Sequence, residues 1–120
     1  MKIFNLITII LSLLIITSCS VDSGNKVKSV PSLISEGFVS DTEYEIVVIG
    51  MPKEGLKSVQ KEESAKRAAL LNAYFYSNSR FDDTVKPDMD GKVLKMTMFD
   101  DHAELKYLIT KSNLKKRLKK

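Results

Sequence analysis

Apolar and polar positions change their period several times along the chain, and each change marks a boundary. Ile3 to Ile16 form an apolar run broken only by Asn5, Thr8 and Ser12. From Ser20 to about Asp41 no period is sustained. Tyr44, Ile46 and Val48 then alternate with Glu45, Val47 and Ile49 in a β-branched run that predicts a strand, ended by Gly50, Met51 and Pro52. Both faces of that strand are apolar between Ile46 and Ile49, the pattern of a central strand covered on each side.

After the Pro-Lys-Glu-Gly turn, Ser58 is the expected cap of a helix running to about Phe81. Glu62 and Glu63 fall near its positive end and pair in sequence with Lys66 and Arg67 at i, i+4. At about 100° per residue, Ala65, Ala68, Leu71, Phe75 and Tyr76 share one face, while Leu70, Tyr74 and Phe81 fall nearly opposite. One helix therefore presents two apolar faces. The second, Leu70, Tyr74 and Phe81, is the candidate partner face, joined by Val47 and Ile49 on the outer side of the strand, and it predicts a homo-oligomer. The alternative is cover from the preceding segment through Leu33, Ile34 and Phe38.

Residues 82–91 break the helix at Pro87 and turn the chain at Gly91. A calcium loop does not fit there: with Asp88 first, the sixth position is Val93 where Gly is needed and the twelfth is Phe99 where Glu is needed. No metal site is expected. Lys92 to Phe99 reads as a strand, with Leu94, Met96 and Met98 alternating against Val93, Lys95 and Thr97. Leu105, Tyr107 and Ile109 mark its hairpin partner across a turn at Asp100, Asp101 and His102. The predicted class is α+β, a small antiparallel sheet packed on one long helix in the order β-α-β-β, after a signal peptide and a linker.

The N-terminal run is shorter than the roughly 20 residues that span a bilayer, and with Lys2 before it the run has the layout of a signal peptide. Ile16, Thr17, Ser18 and Cys19 close it. This pattern resembles the lipobox of bacterial lipoproteins, in which an aliphatic residue and two small residues precede a Cys that is acylated and becomes the mature N-terminus. The resemblance implies cleavage between Ser18 and Cys19 and a diacylglyceryl group with palmitate-type chains on Cys19. The expected organisation is signal peptide 1–18, acylated Cys and linker 19–41, α+β domain 42–110 and basic C-terminal tail 111–120.

One Cys and one His in 120 residues exclude a zinc finger, an iron–sulfur cluster or a disulfide framework. Of the formal net charge of +4, the tail residues Lys111, Lys115, Lys116, Arg117, Lys119 and Lys120 supply more than the whole, so the body is mildly acidic. Such a tail suits a solvated terminus; anionic lipid is a further reading, and export argues against nucleic acid. His102 sits in a turn beside two carboxylates with no nucleophile, the glycines are too scattered for a phosphate cradle, and Met96 and Met98 have core spacing. No catalytic residue and no cofactor is expected.

YEIVVIG over Tyr44–Gly50, followed by SAKRAALLNAYFYSNSRF, resembles the LPP-twenty type of small bacterial outer-membrane lipoprotein and the related N-terminal domain of a flagellar assembly protein. There a strand ending in Gly precedes a helix with small residues spaced as Ala65, Ala68, Ala69 and Ala73 are here, and the sheet approaches the helix closely. Tyr74, Phe75 and Tyr76 depart from that pattern. The resemblance implies a helix wrapped by a small sheet, periplasmic or surface exposure and no catalysis. The expected function is that of a lipid-anchored envelope protein, structural or interacting with another envelope protein. The runner-up is a lipid-anchored module binding a small ligand in the helix–sheet groove. Ser20 after the Cys, rather than Asp, points to the outer membrane.

Overall fold

A computed structural model describes residues 32–120; residues 1–31, with the expected signal peptide, Ser18 and Cys19, lie outside the described residues. The elements are β1 (Leu33–Ser40), β2 (Glu43–Gly50), α1 (Ser58–Arg80), the single turn α2 (Pro87–Asp90), β3 (Gly91–Met98) and β4 (Ala103–Thr110), followed by a 3-10 turn, Leu114–Arg117. The four strands form one antiparallel sheet in the order β1-β2-β4-β3, with α1 across one face. The chain is α+β as expected, and β2 is a central strand.

The expected β-α-β-β order lacks one strand, because residues 33–40, assigned to the linker, are β1. Two register shifts explain why alternation did not reveal it, one between Leu33 and Ser35 and one between Phe38 and Ser40. Each inserts an extra residue, Ile34 and Val39, so the helix-facing side reads Leu33, Glu36, Phe38 and includes a charge. Glu36 is tolerated there because it pairs with Arg80 at the end of α1. Leu33 and Phe38 pack on the core.

Helix α1 ends one residue short of the expectation, but Ser58 does not cap it. Lys57 holds the N-cap position in extended conformation without a side-chain bond, and Ser58 itself has φ of 54°. Glu62 pairs with Lys66 at 3.0 Å, and Glu63 lies nearest Lys66, at 4.0 Å, rather than Arg67.

The buried side of the helix lies between the two expected faces: Ala65 and Tyr76 of the first and Leu70, Tyr74 and Phe81 of the second pack on the core, while Leu71 and Phe75 turn outward. Ala65, Ala69, Ala73 and Ser77 are completely buried against the sheet, a row at i, i+4 spacing that brings the helix backbone down onto β2 and β4. Small side chains win this face because bulky ones hold the layers apart; a Cβ on Gly50 would overlap the backbone at Ala65 and Ala69. Leu70 and Tyr74, expected on an exposed partner face, pack on the core beside that row, and Phe81 is 1% exposed. Val47 is buried on the open face of the sheet, diagonal to Leu108 across β2 and β4, and Ile49 is half-buried. Leu71 and Phe75, expected inside, are 58% and 64% exposed.

Residues 111–120 are not a free tail. Leu114 is fully buried, Leu118 bridges to Phe81, and backbone bonds run from Asp82 N–H to Arg117 O and from Lys119 N–H to Arg80 O, at 2.8 Å each. This segment closes the end of the core where Phe38, Tyr44 and Phe81 meet edge to face, with ring centroids 4.9 to 6.1 Å apart.

Candidate interaction surface

The residues with chemistry that the sequence singled out do not converge. His102 Nδ1 lies 2.5 Å from Asp101, and its ring stacks on Phe99 at 4.7 Å while Phe99 N–H donates to the His102 carbonyl. The imidazole thus braces the β3–β4 turn, and its hydrogen bond holds Asp101 below the usual carboxylate range against the opposing effect of burial. Met96 and Met98 are half-buried and pack on the core under α1. The space between helix and sheet, where a small ligand was the runner-up expectation, is filled by the alanine row and by Ile46, Val48, Leu105 and Tyr107.

The concave surface lies elsewhere, on the outward side of α1. The loop after β2 folds back against the first turns of the helix, pinned where Ser64 Oγ accepts the Lys53 N–H at 3.0 Å and donates to the Lys61 carbonyl. Gly55, with φ of 82°, makes the turn that this fold-back requires. Between loop and helix opens a groove of about 480 Å³, floored by Met51, Leu56, Ala68 and Leu71 and edged by Lys53, Glu63 and Arg67. Phe75 continues the apolar stripe one turn further and meets Tyr76 at 5.4 Å.

At the other end of the helix the charges are largely matched. Lys115 pairs with Asp41 at 2.9 Å and lies 5.6 Å over the Phe38 ring. Lys111 reaches Asp90 at 3.0 Å. Burial acts to raise the Asp90 pKa, but the Lys86 N–H and Lys111 hold the carboxyl below its ordinary value. Arg117 donates to the Ser112 carbonyl and to Thr84 Oγ1. Tyr44 is pushed up to about 12 by burial and by the neighbouring Glu36 carboxylate. Tyr107, whose hydroxyl donates to the Pro87 carbonyl at 2.5 Å, is also pushed up, chiefly by burial. These groups hold the structure together; none lines the groove.

Periodicity alone could not separate the two sides of α1, because both carry aromatics and leucines. One available signal was the i, i+4 ladder of Ala65, Ala69, Ala73 and Ser77, which marks a helix packed closely on a sheet. Among the described residues no helix is long and apolar enough to cross a membrane. The chain matches no protein-family profile, no curated protein and no solved structure.

Proposed function

We propose that this chain is a bacterial envelope lipoprotein: Cys19, freed by cleavage after Ser18, carries the lipid, and the domain that follows acts as a structural or interaction module without catalysis. The observation that carries this reading is the coincidence of the chain's one Cys with the end of the apolar run, behind Ile16, Thr17 and Ser18. Two or three acyl chains meet or exceed the two signals that stable anchoring requires. The strand ending in Gly50 and the alanine row support kinship with the LPP-twenty type of lipoprotein, since close packing of helix on sheet is what that spacing would serve. Ser20 supports an outer-membrane destination.

Incorporation of labelled palmitate by the wild-type chain, abolished in Cys19→Ser, tests the anchoring. Fractionation tests the destination: recovery wholly in the inner membrane would rule out the outer-membrane reading while leaving the lipid in place. The groove is of a size that takes small ligands, but it is open to solvent along the helix, which favours a surface that docks over one that encloses.

A further inference from the structure

We infer that the outward face of α1, with its groove, lies on the surface of the bilayer that holds the lipid, so that the domain is docked rather than merely tethered. This rests on the proposed anchoring at Cys19. Only residues 20–31 separate Cys19 from Ser32, a span of about 45 Å at full extension. Ser32 fixes where that span ends: its carbonyl accepts the Ile49 N–H at 2.6 Å, and its hydroxyl bonds Tyr76 at 2.8 Å. The chain therefore joins the domain at Ile49 and Tyr76, two residues before Met51 in the groove and next in sequence to Phe75.

The composition of this face suits a lipid headgroup layer. Leu71 and Phe75 are exposed in a stripe continuous with Met51 and Leu56. Lys53 and Arg67 edge it with Glu63 between the loop and the helix, and neither cation makes an ion pair among the described residues. An apolar stripe flanked by unpaired cations is how interfacial helices lie in a membrane surface. The same cations disfavour a second copy, since a two-fold pairing of this face would set like charges against each other. The opposite side of the sheet presents Glu45, Glu104 and Lys106 beside the buried Val47 and Leu108 and faces away.

The chain contains no Trp, so a single indole reports depth. The full acylated protein is reconstituted into vesicles of brominated phosphatidylcholine with a minor share of phosphatidylglycerol, as Phe75→Trp, Lys106→Trp and Lys119→Trp variants, with Leu71→Trp replacing the first if it is poorly folded. Flotation reports anchoring and quenching reports docking. The expected result is flotation of all, with quenching of the Phe75→Trp indole about threefold stronger than of the other two. Flotation with equal quenching at all three sites, with none, or with the strongest at Lys119→Trp overturns docking by this face and leaves the anchor standing. Failure to float overturns both.

Discussion

An alanine at position 50 would place its Cβ 2.7 Å from the Cα of Ala69, so Gly50 and Ala69 together set the distance between sheet and helix. Backbone, not a mobile side-chain end, is what the new methyl meets, and the layers must separate to admit it. Gly50→Ala is expected to cost about 3 kcal/mol, at the upper end of overpacking penalties. Urea unfolding checks this, and an unchanged midpoint would show that the layers part easily.

Ser77 completes the buried row, and its hydroxyl has no hydrogen-bond partner. A buried hydroxyl left unpaired loses its solvation without return. Ser77→Ala is therefore expected to stabilise the domain by about 1 kcal/mol, read in the same urea titration; a loss of stability would mean the hydroxyl is satisfied in solution.

The inward and outward sides of α1 separate two pairs of substitutions. Leu70→Asp and Tyr74→Asp place charge against the core and should unfold the domain. Leu71→Asp and Phe75→Asp, on the outward stripe, should change stability by no more than about 0.5 kcal/mol each. Far-UV circular dichroism distinguishes them, and a folded Leu70→Asp Tyr74→Asp double variant would restore those residues to an exposed partner face.

Much of the fold was legible in the residues that obey one period: β2 through its β-branched run, α1 through its length and the Pro87 stop, and the β3–β4 hairpin through the turn at Asp100 to His102. What escaped was set by contacts distant in sequence. β1 hides behind two bulges and the inward Glu36, whose partner Arg80 lies 44 residues on. The 3-10 turn resembles a solvated tail until Leu114 and Leu118 are placed against Phe81. The groove exists only because Ser64 holds the Lys53 loop, a contact with no sequence period.

Leu114 tests that closing segment. As a fully buried residue its replacement by Ala should cost about 3 kcal/mol, where a free tail would show none. Thermal unfolding of Leu114→Ala checks it.

Alkaline stability should follow Tyr44 and Tyr107. Burial favours the neutral phenol in both, so the folded state holds its proton beyond the usual tyrosine range, and for Tyr44 up to about 12. The stabilisation is complete below pH ~10, where an unfolded tyrosine ionises, and is lost as pH rises through the folded value. Tyr44→Phe should flatten that alkaline limb. Asp90, held low, acts in the opposite direction: its contribution is present at neutral pH and lost as acid protonates the folded carboxyl, so Asp90→Asn should flatten the acid limb. Tyrosinate absorbance and stability measured across pH test both.

The lipid on Cys19 is the claim on which the rest depends, and the mass of the mature N-terminus tests it most directly. Protein expressed in a host with lipoprotein processing, extracted from its membranes and analysed by mass spectrometry, should begin at Cys19 and carry a diacylglyceryl group there. A membrane-bound protein that retains Met1 to Ser18 with an unmodified Cys19 would contradict the account.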